Sequence, residues 1–191
     1  NSYWVASGGS GTKEIKAEGS INIFKIPGPE INNGQKLIYS GDRMYYINGR
    51  GSFLSRGMNF PIITYIKEHQ WYSLWPDQIK LYDFIDYAFD VSSIITDPKD
   101  DSHWYFSTFG EGVFEVKDNK VIALYNTTTT NDQIPAAEYN NKHTNYCDGL
   151  AVDSYGNIYI ASTIVENPIS IYNPSSQWKN LDYKVDLSTG W

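Results

Sequence analysis

Apolar residues in this chain recur every second position in short runs, and polar turns rich in Asp, Asn and Gly separate the runs. A period of two sends alternate side chains to opposite faces of an extended strand, so the pattern predicts strands joined by tight turns. Four runs share one design, an aromatic or β-branched stretch that ends on a small polar residue. They are Trp4-Val-Ala-Ser7, Met44-Tyr-Tyr-Ile-Asn48, Trp104-Tyr-Phe-Ser-Thr108 and Ile158-Tyr-Ile-Ala-Ser162. A turn precedes each of the last three: Gly41-Asp42, Asp97 to Asp101, and Asp153-Ser-Tyr-Gly156-Asn157. Glycine supplies positive φ in such turns, and Asp or Asn bonds its own backbone nearby. Ser93–Thr96 and Gly149–Val152 lie upstream of two of the turns, which completes two hairpins of one kind.

A second element follows the aromatic runs. Tyr65, Gln70, Trp71 and Leu74 match Tyr172, Gln177, Trp178 and Leu181 in spacing, and Phe114 to Leu124 is a looser relative turning at Lys117-Asp-Asn-Lys120. Each reads as an outer hairpin, and Ile21–Ile26 is the corresponding strand of the first unit. The repeating unit is therefore four strands, recurring about four times. A four-stranded unit with this period is the mark of a β-propeller blade. The expectation is an all-β fold: one propeller or partial propeller over residues 1–191, with blades near 1–35, 36–77, 91–126 and 147–185. Two stretches fit less well. Gln78 to Asp90 has partly helical spacing and is expected to hold one short helix. Asn126 to Tyr146, rich in Thr and Asn, reads as a long polar loop between strands.

Composition narrows the classes. Aromatic residues make up 16% of the 191 and charged residues 19%, enough to build a core and too few helix formers for a bundle. The sequence has no apolar run long enough for a spanning helix, so membrane insertion is not expected. It opens on Asn1 rather than Met, and a signal peptide is expected to have been removed or never attached. The net charge is −7, with Lys and Arg scattered, which argues against nucleic acid as a main ligand. A single cysteine, Cys147, forbids an intramolecular disulfide and a cysteine-only metal site, and leaves the redox compartment open.

The turn at Asp153-Ser-Tyr-Gly-Asn157 with Tyr159, and the run Trp104 to Val116 with its Gly110-Glu-Gly112 turn, resemble the two-component regulator propeller repeat. Several pieces, in this order, are similar to the PorZ-like propellers of Bacteroidetes: Tyr45-Tyr-Ile-Asn-Gly49, Arg56-Gly-Met58 leading to Tyr65 and Trp71, Ile95 to Asp100, Gly110 to Asn119, Leu124-Tyr-Asn126 and Cys147-Asp-Gly149. The resemblance covers about residues 36–182. It implies an exported protein of the envelope, at the periplasm, the outer-membrane surface or secreted. It also implies a part in type IX secretion, which processes and anchors secreted cargo. Members of that family are several times longer, so the chain is expected to be a fragment or truncated relative. An open arc of blades would then be covered by other blades of its parent or would self-associate. The family supplies no catalytic motif.

The residues themselves offer little chemistry. Cys147 follows His143 by four positions beside Asp148, but strand or loop spacing does not bring a base to the thiol as a helix would, and a small buried thiol is the preferred reading. Gly8-Gly-Ser-Gly11 lacks the outer Gly of a nucleophile elbow, and neither Gly9-Ser-Gly11 nor Gly110-Glu-Gly112 extends to a phosphate or dinucleotide loop. His69, His103 and His143 lack zinc spacing. Asp83, Asp86, Asp90, Asp97, Asp100 and Asp101 offer oxygen ligands, yet Lys99 interrupts the Asp97–Asp101 turn, which reads as solvated. Glu111 with Glu115, or Glu68 and Glu166, would do glycosidase work only if they converge. No catalytic, cofactor or metal residue is therefore assigned. Trp71, Trp178 and Phe114 are expected to pack between neighbouring blades. Tyr139, Tyr146 and Tyr155 lie in or beside polar turns and are the candidate binding-loop residues, since tyrosine offers rigid area with a polar tip. The resulting expectation is a non-enzymatic binding or scaffold module whose partner is a protein or a surface glycan. The rival readings are the ligand-sensing ectodomain of a hybrid two-component sensor and, third, a propeller glycoside hydrolase or lyase.

Overall fold

β-Branched and aromatic residues dominate the runs because they fill a pleated surface buried on both faces, and the turns between them are short because Asp and Asn close them with their own side chains. The computed structural model describes residues 2–6, 11–24, 28–30, 34–49, 61–86, 90–139, 142–173, 175 and 178–186. Among these the structure is all-β, with strands β1 (Ser2–Ala6), β2 (Thr12–Lys16), β3 (Ile21–Phe24), β4 (Lys36–Ser40), β5 (Arg43–Ile47), β6 (Ile63–Lys67), β7 (Gln70–Leu74) and β8 (Val91–Asp97). They continue with β9 (Asp100–Gly110), β10 (Gly112–Lys117), β11 (Lys120–Tyr125), β12 (Ala137–Tyr139), β13 (Lys142–Val152), β14 (Ile158–Ser162), β15 (Ile169–Tyr172) and β16 (Trp178–Asn180). No helix among the described residues is long and apolar enough to cross a membrane.

Every pairing between the described strands is antiparallel, and each of the four units is an up-and-down meander. β1–β3 form a three-stranded sheet and β4–β7 a four-stranded one. β8–β11 and β13–β16 are two further four-stranded units, merged into a nine-stranded sheet because β9 and β13 extend past their own units and pair at Asn145↔Gly110 and Tyr146↔Phe109. From the second unit onward, each unit buries one face against the next. Tyr45, Ile47, Ile63 and Tyr65 of the second unit pack with Trp104, Phe106, Phe114 and Val116 of the third. On its other face the third unit sets Ile95, Tyr105 and Val113 against Cys147, Ile158 and Ile160 of the fourth. Residues one apart on a strand thus serve opposite neighbours: Trp104 faces the preceding unit and Tyr105 the following one.

The seams carry polar clasps as well as apolar contact. The Thr96 amide donates to Ser40 Oγ at 2.8 Å, and Ser92 Oγ donates to the Cys147 carbonyl at 2.5 Å. Gly49 lies against β8 so closely that a Cβ there would come within 2.0 Å of the Val91 carbonyl oxygen, which leaves glycine as the residue that fits.

Both Asp-turn hairpins and both outer hairpins form. Phe114 is fully buried at the second seam, while Trp71 and Trp178 are half-buried. Gln78 to Asp90 does not form the expected α-helix among its described residues. The chain turns after Pro76, Lys80 sits at φ 57, and only Leu81–Asp83 make a single 3-10 turn; a left-handed residue there ends any helical run before it propagates. Asn126 to Tyr146 is shorter as a loop than expected, because Ala137–Tyr139 and Lys142–Thr144 pair as β12 and β13. Asn145 ties this segment down, donating from Nδ2 to the Ile134 and Pro135 carbonyls. The Gly8–Gly11 turn up to residue 10, and Arg56-Gly-Met58, lie outside the described residues.

The Asp153 turn shows how the units are closed. Asp153 Oδ1 accepts from the Tyr155 and Asn157 amides, both at 2.9 Å, and Oδ2 accepts from Asn157 Nδ2 at 2.7 Å. These bonds, led by that of the Asn157 side chain, hold the carboxyl below its ordinary value. Gly156 takes φ 90 to complete the turn. Gly156→Val should therefore destabilise the chain by about 1 kcal/mol or more. An unchanged urea midpoint would contradict the strain assigned to this position.

Candidate inter-unit polar site

Alternation on β9 puts His103 and Tyr105 on the face turned toward β13–β16, and cross-strand register sets Glu115 of β10 directly beside Tyr105. Asp97, the last residue of β8, reaches the same place because the turn after it is only two residues long. The result is a compact polar cluster at the third seam. His103 Nε2 lies 2.6 Å from Glu115 Oε1, and Nδ1 lies 3.3 Å from Asp97 Oδ2. Tyr105 donates its hydroxyl to Glu115 Oε1 at 3.2 Å and also lies 3.0 Å from His103 Nε2. Tyr125 of β11 donates to the other oxygen of Glu115.

The fourth unit closes the cluster with an aromatic wall. Tyr172 stacks on Tyr125 with ring centroids 5.8 Å apart, and Trp178 sits 4.8 Å from Tyr172 and 4.9 Å from Tyr125. Burial first, and the Glu115 carboxylate second, push the Tyr105 phenol far above its ordinary value. Burial and the hydrogen bond to Glu115 do the same for Tyr125. Between the polar cluster and Ile158, Val152 and Gly156 lies a cavity of about 100 Å³. A water takes roughly 30 Å³ in the liquid, so the space suits a few waters or the tip of one side chain, well below the roughly 300 Å³ at which ligand pockets begin. Glu115 accepts from three donors and has little capacity left for a reacting proton. The arrangement joins two units through a satisfied polar network more readily than it performs proton transfer.

Glu111 and Glu115 lie in different surroundings, because Gly112 between them turns the chain at φ 116. Glu111 is half-buried at the β9–β10 turn, where burial raises its carboxyl, whereas Glu115 turns into the seam. Glu68 and Glu166 lie in separate turns. The Asp97–Asp101 carboxylates diverge: Asp97 faces His103, and Asp100 bonds Ser102 and Lys117. Among the described residues no three His, Cys, Asp or Glu side chains gather as metal ligands would.

Cys147 is fully buried, 3.8 Å from Ser162 Oγ, and burial pushes its thiol up to about 12. His143 is exposed four residues earlier on β13 and does not reach it. Thiolate, the reactive form, is therefore depleted roughly 10³-fold relative to a free cysteine near neutral pH. A disulfide-exchange reagent should leave the native thiol unmodified over hours and react at once in denaturant. Prompt labelling of the folded chain would contradict its burial.

Of the candidate binding tyrosines, Tyr155 is 80% exposed at the tip of the Asp153 turn, as its polar surroundings predicted. Tyr146 is not a loop residue. It lies in β13, fully buried, with its ring 4.7 Å from Phe109, because the extension of β13 pairs it with β9. Tyr139 is in β12, and its side chain lies outside the described residues. His103 and Tyr105 were missed as a pair. Their spacing of two on a strand places them on one face, which was the available signal.

No protein-family model matches the chain, and no curated protein matches it in sequence. In fold it is similar to PorZ, an essential bacterial surface component of the type IX secretion system of Porphyromonas gingivalis, with a TM-score of 0.68 and 21% identity. The similarity covers 91% of this chain and 23% of the PorZ chain, so the chain spans about a quarter of that protein's length. Identity at this level speaks for the shared fold.

Proposed function

We propose that the chain is a non-enzymatic binding or scaffold module of an exported envelope protein that serves type IX secretion, built as part of a β-propeller whose blades are the four units. The observation that carries this reading is the likeness to PorZ across nine-tenths of the chain. The closed polar network at the third seam supports it, since the small cavity there favours holding blades together over turning over a substrate. Recognition then falls to the turns on the rigid sheets, and Tyr155 is the side chain best placed for it. The partner is a protein or a surface glycan, and the protein works at the envelope surface or in the periplasm.

The test is deletion of the gene in its own bacterium, followed by measurement of type IX cargo in the medium and on the cell surface. The expected result is loss of mature, anchored cargo, restored by the full-length gene, with the protein accessible to protease on intact cells or recovered in the periplasm. Normal cargo processing in the deletion strain would overturn the assignment.

A further inference from the structure

Where the second unit meets the third, close to the turns at Gly41 and Pro98, the apolar seam gives way to a set of buried polar groups. Arg43 and Tyr45 stand two apart on β5 and so share the face turned to the third unit. Thr96 of β8 and Trp104 of β9 are register partners and meet them from the other side. The Trp104 ring lies 6.3 Å from that of Tyr45. The Arg43 guanidinium lies over the Tyr65 ring at 4.9 Å and donates from Nη2 to the Asp101 carbonyl at 3.3 Å. Burial raises the Tyr45 phenol, and Thr96 and Arg43 are close enough to oppose that rise, which puts the groups in one place. Tyr45 and Trp104 are fully buried, Thr96 is 4% exposed and the Arg43 side chain 12%. Arg43 Nε and Nη1, the Tyr45 and Thr96 hydroxyls and Trp104 Nε1 nevertheless have no partner at hydrogen-bonding distance.

We propose that Arg43, Tyr45, Thr96 and Trp104 form a binding site for a carboxylate. Buried polar groups are nearly always bonded, and each one left unpaired costs stability, so five such atoms at one end of a seam call for an acceptor. The set is made of donors. A guanidinium and an indole N–H can only donate, and the two hydroxyls can do so as well. Water serves such a set poorly. It accepts two bonds but has two protons of its own to place, and the two hydroxyl oxygens are the side-chain acceptors among these four residues. An acceptor that carries no proton satisfies more of the donors, and a charge on it strengthens each bond.

The surrounding charges select among anions. Arg43 Nε lies 3.5 Å from Asp42 Oδ1, and the other oxygen of Asp42 pairs with Lys67. Asp101, exposed on the next turn, sits so near Gly41 that a Cβ there would come within 3.1 Å of its Oδ1. Two carboxylates therefore flank the approach, and two cations offset them. A dianion such as sulfate meets twice the repulsion that a monoanion does. Donors from four side chains suit two oxygens better than one atom, and the planar guanidinium matches the planar carboxylate, which favours a carboxylate over chloride. The ligand can be a free small acid or the carboxylate that ends a peptide, since both present the same group.

The experiment follows the indole Nε1–H signal of Trp104 in proton–nitrogen NMR spectra of the full chain, picked out from the six tryptophans by its loss in Trp104→Phe. Sodium formate and sodium acetate are titrated against sodium chloride and sodium sulfate at matched ionic strength. The expected result is a saturable downfield shift with formate and acetate and none with the other two salts. Arg43→Gln should weaken formate binding at least about tenfold, and Thr96→Val, which keeps the side-chain shape, should weaken it several-fold. A second titration compares acetyl-diglycine with its amide. Saturation by the acid peptide assigns the site to a chain terminus, and saturation by formate and acetate alone assigns it to a free acid. An unmoved indole signal, an equal shift with chloride, or undiminished binding in Arg43→Gln would each overturn the proposal. Should that variant not fold, the comparison of salts on the wild type decides. No outcome depends on a role in secretion, so failure here leaves that reading untouched.

Discussion

Phe114→Ala should cost about 3–5 kcal/mol of stability, the range for deleting a fully buried aromatic ring from a core that cannot collapse around the hole. Phe114 is completely buried, its ring stacks on Phe106 with centroids 4.9 Å apart, and both sit where the second unit packs on the third. Collapse is prevented from both sides, since β10 is hydrogen-bonded between β9 and β11 and cannot shift toward the cavity. With total stability of a domain at about 5–15 kcal/mol, the variant is expected to melt far earlier or to be unfolded. Urea denaturation of the wild type and variant, read by tryptophan fluorescence, gives the difference directly. Phe114→Leu should recover more than half of it, and Tyr155→Ala, at an exposed turn, should change it by less than about 0.5 kcal/mol. A Phe114→Ala change below about 1 kcal/mol would mean that the seam between the second and third units is not a packed core.

Glu115→Ala is the second large effect, and its cause is electrical. Removing the carboxylate takes the shared acceptor from the Tyr105 and Tyr125 hydroxyls, leaves Tyr105, a buried residue, with only His103 beside its hydroxyl, and strips His103 of its nearer partner. Leaving buried donors unpaired costs about 1–3 kcal/mol each, so a loss of about 2–4 kcal/mol is expected. Glu115→Gln keeps an oxygen for the two phenols and should lose less. The same network fixes the alkaline behaviour. Tyr105 and Tyr125 have folded-state values raised above the unfolded value of 10.0, chiefly by burial and then by Glu115. A raised folded value means that the folded chain holds these protons more tightly. The stabilisation is therefore present in full below about pH 10 and drains away as pH rises past it. Phenolate absorbance should show these two tyrosines titrating only together with unfolding. Reversible ionisation of all 16 tyrosines in a still-folded chain would contradict their placement.

Sequence alone showed the hairpins well, because their cause is local. Asp153 binds its own turn, Gly156 must take positive φ, and alternation marks which side chains share a face. It failed where the cause is distant. Asn126 to Tyr146 reads as a polar loop, yet Ala137–Tyr139 and the stretch from Lys142 on are strand, since β12, β13 and the end of β9 supply one another with partners that the local residues do not announce. Gln78 to Asp90 reads as helical on apolar spacing, and the left-handed backbone at Lys80 decides otherwise. The seam cluster was half-visible. Alternation pairs His103 with Tyr105, but the approach of Glu115 depends on the β9–β10 register, twelve residues away in sequence from His103.

The pairing of β9 with β13 beyond their own units has a consequence for how the chain comes apart. Two sheets joined only by side-chain packing can slide or separate, and each can open by itself. Here backbone hydrogen bonds run from β11 through β10 and β9 into β13 and on to β16 without interruption. Residues 91–180 should accordingly behave as one cooperative block in native-state hydrogen exchange, with amides of β9 and β13 the last to exchange. The β4–β7 sheet, which shares no backbone bond with that ladder in the described strands, can open earlier. Pulled from its ends, the chain would yield first at the sheets held by packing and last at this continuous ladder, so that the load path through the protein is set by two strands that outgrew their units.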